Sequence, residues 1–177
     1  MTIAAAAPLA RAQKLAAASQ VIAIIAAIML SVSAAVDVFL PPLTRLGGLE
    51  PGWAGTFALI NLIGARAILA APVIILASVC LDLRKVLSDY AEGRFFTLRA
   101  AKGVRKTGEG VLWAMAFKCV ISPTLYGLVA EGARGGPPEV RIESFDLGLI
   151  ALGFFIMMIG RVLEAAAAIK AENDEIV

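Results

Sequence analysis

LAAASQVIAIIAAIMLSVSAAV, residues 15–36, is a run of 22 residues without a charge. A hydrocarbon core about 30 Å thick takes roughly 20 apolar residues in helical form, so this run reads as a membrane span. Working outward, residues 51–81 carry one charge, Arg66, residues 110–130 carry one, Lys118, and residues 147–160 carry none. The last run is short, but Phe145 extends it on one side and Val162, Leu163 and residues 165–169 on the other. The spans fall at about residues 15–40, 53–81, 108–130 and 145–168, with 82–107 and 169–177 left in water. The predicted fold is an all-α membrane protein, one domain over residues 1–177. It has four transmembrane helices and a helical hairpin extension between the second and third.

Composition excludes more than it assigns. The chain is 60% hydrophobic with a mean hydropathy of +0.86, where soluble domains are about 45–50% apolar. Four spans and their loops use the whole length, which leaves no room for a separate soluble domain. A net charge of +2 gives no footprint for direct nucleic-acid binding. There is no histidine, hence neither the commonest general base nor the commonest metal ligand. No nucleophile–base pair or metal set stands out, so the expectation is a protein that is not an enzyme and holds no cofactor or metal. Cys80 and Cys119 fall at different depths and read as packing residues. The first span follows Arg11 and Lys14 and could pass for a signal peptide, but it exceeds the roughly 7–15 residues of a signal core.

Lysine and arginine near the span ends set orientation. Arg11 and Lys14 precede the first span, and only Arg45 follows it. Arg84, Lys85, Arg94, Arg99, Lys102, Arg105 and Lys106 lie between the second and third spans. Arg134 and Arg141 occupy the next loop, and Arg161 and Lys170 the tail. Alternate sides thus hold eleven basic residues against three. Both termini and the hairpin are expected in the cytoplasm, and the chain in a bacterial inner membrane. The outer loops are turn residues: Pro41, Pro42, Gly47, Gly48, Pro51 and Gly52 in one, Gly135, Gly136, Pro137 and Pro138 in the other.

Within the hairpin the second helix is expected to run on to Tyr90, turn at Glu92 and Gly93, and restart with Thr97 as a cap. Arg99, Lys102, Arg105 and Lys106 then share an arc of about 120°, opposite Ala100, Ala101 and Val104. Such an arc fits anionic headgroups of the membrane lipid or an acidic partner. The tail carries Glu164, Glu172, Asp174 and Glu175 against Lys170. Opposite charge places it near the basic arc, with Glu172, Asn173 and Asp174 as candidate docking residues.

Two segments carry a family resemblance. Phe96 and Thr97, followed by the basic run Leu-Arg-Ala-Ala-Lys-Gly-Val-Arg-Lys-Thr-Gly through Gly108, resemble a signature of Phe-Thr, an Asn three residues on, and an Arg/Lys-rich helix ending in Gly before a span. Ala100 stands where that signature has Asn. The tail, from Arg161 through Glu172-Asn173-Asp174 to Val177, resembles the same family's ending. The family is the bacterial four-helix membrane proteins called domain of unknown function 2975. The resemblance implies four spans in matching order and no established activity. It also implies a membrane partner for a small helix-turn-helix regulator.

Arg66 and Lys118 are the candidate intramembrane groups, because a charge at that depth costs several kcal/mol unless it faces protein or water. They read as lying at similar depths, with no evident carboxylate to match. Asp37 and Asp146 are placed near outer span ends and Glu164 near an inner one. Pro72 and Pro123 free the carbonyls of Ile68 and Cys119, which either cation could cap. Asn61, Ser31 and Ser33 could add polar contacts inside a bundle. Ala23, Ala27, Ser31 and Ala35 form a small-residue stripe, compatible with helix packing or a homo-oligomer. The leading reading is a regulatory or sensory membrane protein that docks a soluble cytoplasmic protein. The alternative is a small transporter or anion- or lipid-binding bundle using Arg66 and Lys118.

Overall fold

The computed structural model describes residues 6–45, 52–94, 97–130 and 142–176. Among them all regular structure is helical: α1 (Ala6–Arg45), α2 (Trp53–Ala91), α3 (Leu98–Ala116), a π-helical segment (Phe117–Ile121), α4 (Ser122–Ala130) and α5 (Ser144–Ile176). Three stretches are long and apolar enough to cross a membrane: Ala10–Pro42, Trp53–Ala91 and Ser144–Asn173. By length and composition the chain is a membrane protein. The remaining expected span is also a helical path, but an interrupted one, built from α3, the π segment and α4 in succession. Pro123 accounts for the interruption. It has no N–H to donate, and its ring crowds the carbonyl four residues back. The wider π turn just before it relieves that crowding, and the Ser122 N–H reaches the Phe117 carbonyl.

The helices form a row. Among the described residues the α1 backbone approaches that of α2 alone and the α5 backbone that of α3 alone, while α2 packs on α3, the π segment and α4. The order across the molecule is α1–α2–α3–α5. Ile63, Ala70 and Val73 of α2 pack with Ala34 and Val38 of α1. Val79 and Val86 of α2 meet Gly110 and Gly103 of α3. At ~100° per residue these two sets lie on roughly opposite sides of α2, which makes α2 an inner member of a row.

Small residues let the row close up. Ala16, Ala23, Ala27, Ala34 and Val38 are buried on α1. The expected stripe of Ala23, Ala27, Ser31 and Ala35 is therefore only half right: Ser31 and Ala35 are exposed. A strict four-residue step drifts ~40° per step around a 3.6-residue helix, whereas alternating steps of seven and four hold one seam. On the other side of α3, a Cβ at Gly108 would lie 2.5 Å from the Met157 backbone nitrogen, and one at Gly160 2.5 Å from that of Arg105. Two antiparallel backbones thus touch directly, the close approach that small residues give membrane helices.

Candidate functional site

The hairpin between α2 and α3 concentrates the chemistry. α2 continues to Ala91, and the Glu92 N–H closes its last turn on the Ser88 carbonyl at 3.1 Å. Gly93 takes φ 81°, the left-handed conformation that glycine adopts without a Cβ penalty. Thr97 caps α3 by accepting the Ala100 N–H at 3.2 Å. Turn and cap lie where the sequence puts them. The α1 side of the turn carries Gln13, whose side chain would obstruct a Cβ at Gly93.

Carboxylates of the same chain hold the basic arc. Asp89, 7% exposed, takes Arg94 at 2.7 Å and Arg99 at 3.8 Å. Asp82 bridges Lys85 at 2.7 Å and Lys106 at 3.2 Å. Arg105 joins Glu109 at 2.8 Å and Glu164 of α5 at 3.0 Å. Hydrogen bonding by Lys85 holds the Asp82 carboxyl below its ordinary range, and Lys106 adds to this against the opposing effect of partial burial. Each exposed pair contributes only about 0–1 kcal/mol. Together they still fix where the long side chains point. The expected free arc is therefore largely engaged: Arg99, Lys102 and Lys106 are exposed, and of these Lys102 makes no ion pair among the described residues. Of the tail, Glu164 is the residue that reaches the arc. Glu172 and Asn173 are exposed on α5 with no ion pair among the described residues, and the Asp174 side chain lies outside them.

The intramembrane groups separate into two places. Lys118 forms an ion pair with Asp146, which is wholly buried. The expectation that no carboxylate matches Lys118 is thus corrected. Asp146 sits in the first turn of α5, where its Oδ2 also accepts the Glu143 N–H at 3.1 Å, half of a capping box. Lys118 itself lies in the π segment. Counting from the inner charges reveals the match. At ~1.5 Å per residue Lys118 lies about 18 Å beyond Lys106, and Asp146 about 22 Å before Arg161. The sequence reading placed Asp146 at the start of its span, where α5 does begin; what it missed is that Lys118 reaches the same level.

Arg66 lies elsewhere. It is half-buried and shares a helix stripe with Ile63, Ala70 and Val73, which face α1. Among the described residues it makes no ion pair. The carbonyl freed by Pro72 is not capped by a cation: Ser122, 3% exposed, donates its hydroxyl to Ile68 at 3.0 Å. That bond aligns Ile68 with Ser122, so Arg66 lies level with about Thr124, roughly 9 Å further along the helix axis than Lys118. The two cations do not share a depth or a face. Asn61 and Asp37 are exposed, and neither is drawn to the Lys118–Asp146 pair. Among the described residues no group of histidine, cysteine, aspartate or glutamate could hold a metal ion.

Comparison with protein-family models, curated proteins and solved structures finds no match to this chain.

Proposed function

We propose that this is a four-span protein of the bacterial inner membrane with both termini in the cytoplasm, and that it works as a regulatory or sensory platform for a soluble partner. One observation carries the reading. The hairpin is a continuation of membrane helices α2 and α3, held to α5 through Arg105 and Glu164 and stiffened by the Asp82 and Asp89 pairs. A rigid charged surface continuous with apolar spans suits the transmission of a membrane-side change to something in the cytoplasm. The resemblance of the hairpin motif and the tail to domain of unknown function 2975 is in keeping with this role, as is a helix-turn-helix regulator as the partner. The exposed tail residues Glu172 and Asn173 extend the docking surface.

Affinity purification of the full chain from its native membrane, followed by identification of the soluble proteins retained, tests the proposal. Charge reversal at Glu172, Asp174 and Glu175 should lose the retained partner while the protein still inserts. Retention of every partner at unchanged affinity would remove the tail from the docking surface.

A further inference from the structure

α3 presents a stripe beside its two packed faces, tied to α2 through the ion pairs of Arg99 and Lys106. Arg99, Lys102, Lys106, Glu109, Trp113 and Ala116 recur at steps of three and four, so they share one side of the helix. None of them is buried. The chemistry changes along the stripe, from cations on the hairpin to an apolar surface beyond Glu109.

Two grooves open onto it. The first, about 180 Å³, lies between α2 and α3 with Val86 and Gly103 on its floor. Asp82 and Asp89 stand low in it, with side chains 30% and 10% exposed, below Lys85, Arg99 and Lys106 at 72%, 84% and 70%. The cations form the rim, and an approaching anion meets them first. The second groove, about 230 Å³, is lined by Glu109, Leu112, Trp113 and Ala116. Glu109 is engaged by Arg105 at 2.8 Å. Trp113 is 67% exposed, and an indole favours the level where headgroups meet acyl chains. At ~1.5 Å per residue, Trp113 lies about 10 Å and Ala116 about 15 Å beyond Lys106. One leaflet of the hydrocarbon core is also about 15 Å deep.

We propose that this side of α3 binds an anionic phospholipid. The phosphate diester sits on the rim of Lys85, Arg99 and Lys106, and an acyl chain lies along Leu112, Trp113 and Ala116. Basic pockets between cytoplasmic helix ends suit such headgroups. The apolar groove decides between a lipid and an acidic peptide. It lies further along the same helix, on the side toward the apolar spans, where a soluble peptide has nothing to place. The internal carboxylates orient the rim cations without cancelling them, because Lys102 adds an exposed charge beside them. The site depends on the proposed platform only for its leaflet, and its test needs no partner protein.

Trp53→Phe leaves Trp113 as the single tryptophan of the chain, a reporter inside the apolar groove. The full-length protein in mixed micelles is titrated with phosphatidylglycerol brominated on its acyl chains, and separately with brominated phosphatidylcholine. Phosphatidylglycerol should quench Trp113 at a several-fold lower mole fraction. Arg99→Gln with Lys106→Gln should abolish that preference while helical circular dichroism is retained. If the double variant misfolds, Lys85→Gln and Lys102→Gln, both at exposed positions, should each reduce the preference. Equal quenching by the two lipids in the parent overturns the proposal, as does a preference that survives all of these substitutions in folded protein. Displacement of the phosphatidylglycerol effect by poly-glutamate at low micromolar concentration also overturns it and assigns the groove to an acidic protein segment.

Discussion

Gly108→Ala is the sharpest probe of the packing that holds α3 to α5. The added Cβ would lie 2.5 Å from the Met157 nitrogen, 2.7 Å from the Gly153 carbonyl oxygen and 2.9 Å from the Met157 Cα. All three are backbone atoms, so no side chain can rotate away. Reaching ordinary carbon contact at about 3.5–4.0 Å requires the helices to part by roughly 1 Å. A gap of that size forfeits a quarter to a half of each contact's dispersion well along the seam. Overpacking costs about 1–3 kcal/mol, and here the upper part of that range applies. The helix propensity gain of alanine over glycine, about 1 kcal/mol, offsets it in part. The net expectation is a loss of roughly 1–2 kcal/mol. Gly64→Ala is the control, because nothing lies within 4 Å of its Cβ position. It should gain up to about 1 kcal/mol. Unfolding of the purified protein in detergent, followed by circular dichroism against temperature or a denaturing surfactant, should therefore shift in opposite directions for the two variants. A Gly108→Ala protein as stable as Gly64→Ala would refute the direct backbone contact and the seam built on it.

Reporter fusions test the topology: those at Gly48 and Gly136 should report outside, those at Gly93 and after Val177 inside, and an external C-terminus would overturn the arrangement. Asp146→Leu alone leaves Lys118 without its carboxylate, and should cost about 1–3 kcal/mol, less than the roughly 3–5 kcal/mol for breaking a fully buried pair because Lys118 is partly exposed. Adding Lys118→Met should recover most of that loss in the same unfolding assay; equal instability of the single and double variants would show that the pair is not the cause. The Asp82 carboxyl titrates below its unfolded value near 3.9. Its contribution is therefore present above about pH 4 and lost as pH falls through the lower folded value. Hydrogen exchange at the hairpin should be flat from pH 7 to 5 after correction for intrinsic rates, and loosening in that interval would contradict the assignment.

The sequence made the element types legible because charge and length decide them in a membrane. Apolar runs of more than 20 residues with at most one charge leave helix as the way to satisfy the backbone, and Gly93 and Thr97 punctuate the hairpin through the conformations that these two residue types favour. The lateral arrangement was not legible. α2 carries apolar residues all round, because lipid and protein ask for the same side chains, so no polar face marks which sides touch other helices. The glycines of α3 were the available signal. Gly103 and Gly110 lie seven apart on one side, and Gly108 lies off that line. Two glycine faces on one helix are what an inner member of a row requires.

The candidate site was legible in its residues and less so in its pairings. The basic arc is readable from helical spacing alone. What spacing on one helix does not contain is the register between helices, and each pairing depends on that register. Val86 opposite Gly103 brings Lys106 beside Asp82, and Arg105 against Gly160 sets its guanidinium beside Glu164. The Lys118–Asp146 pair follows from the same α3–α5 register carried about two turns further. Charged residues in such a chain are better counted from the inner ring of charges, where helices of different length share a common level, than from the outer ends. Counted that way, Arg66 separates from Lys118, and the groups that meet are the ones the glycine contacts align. The glycine seam and the charge pairs are thus one arrangement, since a shift of α3 by a single residue would misalign both.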